Sequence, residues 1–336
     1  MPFQISSEKR YVIAQGGVTL AKLHEELAKY GLAMTCIGSV SDPTLAGVIA
    51  TASHGSGINY GVIPTQVMAV TLMLADGSRM SCSRTEHPDL FLATLCGLGA
   101  TGIILSVQME VEPAFRLRDI QESLPFSSIV DSLDSLAASA EHIRFTWFPA
   151  TDTVRCSFAD RTEEVSIVYP CRVRRVPIFV LQPKFSNGNW WLPFIEKQMT
   201  QLLLFMGRTC SPLNALAARL TCWLNKDQSV RIDDGHRIFN IDCKVMFPNL
   251  VEPFNHGLHP LQHSQFTTEW AIPFDNAKAC LTEIDQWLKQ EHADPHGLRP
   301  HCPVEVRFTA ADDIWLSPSN GRRTCWIGII QYRYDH

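Results

Sequence analysis

GSVSDPTLAGVIATASHGSGINYG, Gly38 to Gly61, is the stretch on which the reading of this chain turns. Gly38, Gly47, Gly55 and Gly57 are interleaved with small residues, among them Ser39, Ser41, Ala46, Ala50, Ser53 and Ser56. Glycine permits positive φ and close backbone approach. Backbone N–H groups and serine hydroxyls can then line a concave site for an anion or a planar ring. The segment is too long for a turn and, from Leu45 to Ala52, too apolar for a solvated linker. Two readings stay open on composition alone: backbone laid against a large planar ligand, or a buried loop and helix packed on a sheet with no ligand.

The flanks read as mixed α and β structure. Tyr11 to Ala14 is a short strand, and Leu20, Leu23 and Leu27 recur at helical spacing before Gly31 stops the helix. Gln66 to Leu74 and Arg79 to Ser83 form a hairpin about Ala75-Asp76-Gly77. Pro88 opens a helix expected over Asp89 to Leu98. Ile103 to Glu112 alternates as a strand ended by Pro113. The character changes near residue 115. A helix is expected over Ile129 to Ala140 and another near Asp275 to Lys289. Strands are expected over Ile143 to Phe148, Thr153 to Phe158, Pro303 to Thr309 and Cys325 to Tyr334.

Composition narrows the functional classes. With 336 residues, 46% hydrophobic and 19% charged, the chain can bury a sizeable core in one large or two smaller domains. A net charge of −5 and the absence of a basic block give no sign of a nucleic-acid partner. The 11 cysteines are scattered without a C-x-x-C pair, which argues against a disulfide framework or a zinc site and for a reducing compartment. Trp190 to Leu224 is apolar, but only ten residues separate Lys197 from Arg208, too few to span a bilayer. This segment either lies in a membrane interface with Trp190, Trp191 and Trp223 as anchors, or packs between domains.

In PVEVRFT (303–309), Val304, Val306 and Phe308 share one strand face, and Glu305 and Arg307 share the other, about 7 Å apart. A carboxylate and a guanidinium so placed form either a surface pair worth under ~1 kcal/mol or a buried site. In the second case Arg307 stabilises negative charge developing on a ligand and Glu305 handles a hydroxyl proton.

The Gly38 stretch, then TQVMAVTLMLADG (65–77) and LGATGIILSVQMEVEP (98–113), resembles the sugar-1,4-lactone oxidases, flavoproteins of the vanillyl-alcohol-oxidase type. RFTWFPATDTV (144–154), FNIDC (239–243), TTEWAIP (267–273) and PVEVRFT extend the resemblance, with gaps, from about Tyr11 to Arg333. Several blocks in the same order are more specific than a lone glycine motif.

The resemblance implies an α+β protein. Residues 1–114 would be the C-terminal part of a vanillyl-alcohol-oxidase/PCMH-type FAD-binding domain, and 115–336 an α+β cap, or substrate domain, with an antiparallel sheet. Gly38, Ser39, Ser41, Gly47, Ser53, His54 and Gly55 would contact FAD, with Ile103 or Ile104 near the adenine end. Glu305 would orient the substrate hydroxyl, and Arg307 would sit near the flavin N1/C2 carbonyl. His54 matches a Ser-His-Gly in the family's second glycine loop, a flavin-contact or backbone-shaping position rather than the covalent attachment point; a plain hydrogen-bonded histidine is the alternative. The implied reaction moves a hydride from lactone C2–H to flavin, with O₂ or another electron acceptor reoxidising it, and yields an ascorbate- or erythroascorbate-type product. The implied partners are a small sugar lactone and a peripheral membrane contact, mitochondrial or endoplasmic-reticulum, inside the cell; no metal is implied.

The chain also departs from the family. The family's leading Gly-Gly-Gly-His-Ser-type pyrophosphate loop has no counterpart ahead of Tyr11, and its His-Trp-Ala-Lys motif has none after Gln331-Tyr332-Arg333. Val165 to Asn187 and Val245 to His263 interrupt family blocks and read as retained intron sequence, which a spliced transcript encoding both in frame would refute. On this reading the chain as written holds FAD weakly or not at all. The alternatives to a lactone oxidase are a related alditol or sugar oxidase, and an inactive remnant serving as a binding or membrane-associated module.

Overall fold

The computed structural model describes residues 3–6, 8, 10–164, 206, 210, 212–225, 228–235, 238, 265–297, 300 and 303–332. The stretches 165–187 and 245–263, Trp190 and Trp191 lie outside the described residues.

The N-terminal part is built on a five-stranded antiparallel sheet. β1 (Phe3–Ser6) pairs β2 (Tyr11–Gln15). Thr19 then caps α1 (Leu20–Ala28), its hydroxyl accepting from Lys22 N. Leu20, Leu23 and Leu27 are buried on one stripe of that helix, each contributing about 1.5–3 kcal/mol. β3 (Leu32–Ala33) follows. The Gly38 stretch contains a short helix, α2 (Leu45–Ala50), capped by Thr44. A 3-10 turn at Ile63–Gln66 leads into the hairpin of β4 (Val67–Met73) and β5 (Arg79–Ser83), whose Gly77 has φ 82°. After α3 (Pro88–Thr94), β6 (Ile103–Glu110) returns between β2 and β4, and β7 (Glu112–Pro113) pairs β3. Val12, Val70, Leu72, Val107 and Met109 join the three helices in one buried cluster.

The C-terminal part is a seven-stranded antiparallel sheet. It comprises β8 (Arg116–Pro125), β9 (His142–Phe148), β10 (Thr153–Thr162), β11 (Ser229–Asp234), β12 (Gln265–Pro273), β13 (Val304–Thr309) and β14 (Thr324–Tyr332), in the order β11-β8-β10-β9-β13-β14-β12. Its helices are α4 (Phe126–Asp131), α5 (Leu133–Ala137), α6 (Pro212–Asn225) and α7 (Ala277–Ala293).

Period-two alternation gives this sheet two unlike faces. Phe145, Trp147, Val154, Cys156, Val304, Val306, Phe308, Cys325 and Ile327 form one face and pack with Phe126, Ile129, Leu133, Leu281 and Leu288 of the helices. The register places Arg144, Ser157, Glu305, Arg307 and Glu269 on the other face. That polar face turns toward the N-terminal part. Trp326, on the same face as Arg307, belongs to the N-terminal cluster.

The two parts are joined by backbone. Gly57 N donates to Phe308 O (2.8 Å), and Ala310 N to Tyr60 O (2.8 Å). Ser56 Oγ donates to Ile143 O. Arg161 spans the junction to Glu112 (2.7 Å) and Glu141 (2.7 Å).

Three expected elements are shorter or divided. The helix from Pro88 ends at Thr94, because Cys96, Leu98 and Gly99 take left-handed φ of 57°, 52° and 78°. The expected Ile129–Ala140 helix is two, broken at Ser132 (φ −118°), whose hydroxyl donates back to Ser128 O. Phe274–Asn276 is a 3-10 turn ahead of α7.

Candidate active site

The Gly38–Gly61 segment folds back on itself and then lies against the polar face of the large sheet. Part of it is close-packed on protein. A Cβ on Gly55 would stand 2.3 Å from Cys36 Sγ and 2.6 Å from Ile37 O, so the backbone there admits only glycine. Burial pushes the Cys36 thiol up to about 12, which keeps it a neutral packing group. Gly47 sits in α2, its N–H donating to Thr44 Oγ1 (3.2 Å). Ser53 N donates to Val48 O (3.2 Å).

The other part opens on a crevice. Ile37, Ser39, Gly55 and Ser56 line one wall, and His142, Arg144, Ser157 and Arg307 the other. The non-atom space is about 340 Å³, part of it open to solvent. Of the residues read from sequence, Ser39, Gly55 and Arg307 meet here. Ile104 packs on the N-terminal core, while Ile103, at the start of β6, is 60% exposed.

Arg307 is the electrostatic centre. Its Nη2 donates to Glu269 Oε1 (2.9 Å) and lies 3.4 Å from Glu305 Oε2. Its Nη1 donates to His54 O (3.5 Å). The pair seen in sequence is therefore half-buried rather than a surface pair, with side-chain exposures of 14% and 16%. Glu269 joins it from β12 across Gly328, which pairs with both Glu269 and Glu305.

His54 is also buried and stacks on Trp326 at 3.8 Å. Its ring nitrogens face Gly55 O (2.9 Å) and Glu269 Oε2 (3.2 Å). Burial lowers its pKa, and the Arg307 charge adds to this. A neutral imidazole donates through one nitrogen only, and donation from Nε2 to the carboxylate is the stronger choice. His54 thus anchors the loop to the Glu269–Arg307 pair.

Burial acts to raise the Glu269 carboxyl, but the His54 hydrogen bond and the Arg307 charge outweigh it and hold the group at about 2, against an ordinary 4.5. A folded pKa below the unfolded one adds stability above the unfolded value and loses it as pH falls toward the folded one. Stability is therefore expected to decline between about pH 5 and pH 2, and Glu269→Gln to flatten that decline. Urea midpoints measured across this range check it.

FAD fits these residues at one end. Ser41 Oγ is buried without a protein partner. The Ser39 hydroxyl and the Arg307 guanidinium border one crevice, a donor set suited to the polar edge of a flavin ring or to phosphate oxygens. Among the described residues no cluster of His, Cys, Asp and Glu could hold a metal, and no helix is long and apolar enough to cross a membrane. Trp223, on α6, is 38% exposed.

Known proteins bear on this geometry. Residues 107–252 and 254–336 match the family model described as D-arabinono-1,4-lactone oxidase, and residues 3–83 match an FAD binding domain. L-gulonolactone oxidase of Scyliorhinus torazame is 34% identical over 98% of this chain and 66% of its own length. D-arabinono-1,4-lactone oxidase of Candida glabrata is 29% identical over 91% of this chain and 54% of its own. The chain thus spans about two thirds or less of these relatives. Among solved structures, a solvent-stable cholesterol oxidase superposes with a TM-score of 0.65 at 19% identity, covering 98% of this chain and 66% of that one. The cholesterol oxidase from B. sterolicum gives 0.65 at 14%, covering 98% and 65%. These two show the fold alone, a mixture of helices and antiparallel sheet. The chain belongs to the D-arabinono-1,4-lactone oxidase family of FAD-dependent oxidoreductases.

Proposed function

We propose that this protein oxidises an aldono-1,4-lactone of the D-arabinono-1,4-lactone type, with O₂ as the final acceptor. Residues 1–114 serve as part of the flavin-binding domain and 115–336 as the substrate cap. The observation that carries this reading is Arg307 held between Glu305 and Glu269 on the crevice that faces the Gly38–Gly61 segment.

FAD, when bound, supplies the two-electron acceptor. The chain supplies position, charge and a proton acceptor. Arg307 is fixed by two carboxylates and a backbone carbonyl, so its charge needs no rearrangement to stabilise negative charge developing on a ligand. Glu305 receives the proton of the lactone 2-hydroxyl.

The test is oxygen uptake by the chain supplied with excess FAD and offered D-arabinono-, L-galactono- and L-gulono-1,4-lactone. Consumption with a lactone is the expected result. Uptake with alditols only would support the alditol oxidase, and none with any substrate would support a binding module.

A further inference from the structure

We propose that Arg144 and Ser157 form a subsite that reads the hydroxylated chain outside the lactone ring, and so set which lactone is taken. The inference rests on the oxidase reading above and assigns the substrate-selecting residues of the same crevice.

The sheet register builds the subsite. Arg144 on β9 stands opposite Arg307 on β13, and Ser157 on β10 stands opposite Arg144. Cross-strand partners share a face, so the row Ser157–Arg144–Arg307 runs across three strands. All three line the crevice. β10 lies two strands from β13, about 10 Å. A five-membered lactone with a hydroxylated exocyclic carbon, plus a hydrogen bond at each end, covers that distance.

The chemistry at the far end is directional. Ser157 Oγ donates its one proton to Asp119 Oδ1 (2.6 Å). Asp119 is 2% exposed, and its Oδ2 accepts from Gln121 Nε2 (2.6 Å). Gln121 Oε1 accepts in turn from Arg155 Nη2 (2.8 Å), which also donates to Ser229 Oγ (3.1 Å). This chain fixes the serine proton on Asp119. Only lone pairs of Ser157 remain for a ligand in the crevice. Arg144, 8% exposed, carries donors only. One acceptor beside one donor group matches an alcohol, which both gives and takes a hydrogen bond. A planar carbonyl would use only Arg144. Asp119 is a positioning residue here: it acts through Ser157.

The test compares D-arabinono-1,4-lactone with its 5-deoxy analogue, in which a methyl replaces the exocyclic CH₂OH. Half-saturation of flavin reduction is measured in the chain supplied with FAD, and calorimetric Kd in the chain alone. The wild-type chain is expected to prefer the parent lactone by about a hundredfold, the loss of two hydrogen bonds. Ser157→Ala is expected to bring that preference down to about tenfold, the Arg144 hydrogen bond alone remaining. A wild-type chain that oxidises both lactones with equal half-saturation overturns the inference and leaves the oxidase reading standing, whether or not the variant folds. A folded Ser157→Ala chain that keeps the hundredfold preference, or that alters FAD affinity instead, also overturns it. Failure of the wild-type chain to oxidise any lactone defeats the oxidase reading itself.

Discussion

Arg307→Ala is expected to reduce lactone turnover by about 10²–10³-fold, the usual loss for a fixed charge aimed at developing negative charge. It is also expected to lower the unfolding free energy by roughly 3 kcal/mol. The stability loss has a specific origin. Glu269 and Glu305 both lean on this guanidinium, and removing it leaves two carboxyl groups facing each other across Gly328. The Glu269 carboxyl, held at about 2 in part by Arg307, then moves up. Arg307→Lys separates the two effects. It keeps the charge and recovers part of the stability. A single ammonium cannot serve Glu269, Glu305 and His54 O together as the planar fork does, so the rate stays low. Adding Glu269→Gln to Arg307→Ala is expected to restore stability without restoring rate, because the unpaired charge is gone while the site stays incomplete. Urea unfolding and lactone-dependent oxygen uptake on the four chains measure both quantities.

Phe308→Ala is expected to cost about 3–5 kcal/mol, the larger of the two stability effects. Phe308 is the residue behind Arg307, fully buried on the opposite face of β13. Its ring meets Phe145 edge-on at 5.6 Å and Phe274 at 5.5 Å. Truncation opens a cavity at the centre of the face packed under α4, α5 and α7, and the strand that carries the site loses its backing. Trp315→Ala is the control. That side chain is 52% exposed, and its loss is expected to stay within about 0.5 kcal/mol. Equal midpoints for the two variants would contradict the assignment of the core.

What could be read in advance follows from which signals are local. Glu305 and Arg307 were legible because alternation along one strand puts them on one face and Val304, Val306 and Phe308 on the other. The β4–β5 hairpin was legible from Asp76-Gly77, with the glycine at φ 82° and Asp76 Oδ1 accepting from Ser78 N. Glu269 was not singled out, although TTEWAIP was. It reaches Arg307 only because β12 pairs β14, a contact between distant segments that no local pattern specifies. Arg144 and Ser157 escaped for the same reason. RFTWF reads as an apolar strand until its even-numbered residues are placed beside β13. The Gly38–Gly61 stretch is in part the packed loop its composition allowed, and in part it lines the crevice. Gly55 is wedged against Cys36 and Ile37, while Ser39 and Ser56 face the crevice. The end of α3 was set by left-handed φ at Cys96 and Leu98, non-glycine residues whose identity does not announce it.

The central claim is that the Glu305–Arg307–Glu269 face is where a lactone gives up its electrons. The most direct measurement is anaerobic bleaching of the flavin band by D-arabinono-1,4-lactone, in the chain supplied with FAD and in its Glu305→Ala variant. The wild-type chain is expected to bleach, and the variant to bleach about 10²–10⁴-fold more slowly, the range for loss of a positioned proton acceptor. Equal rates in the two chains would contradict the account.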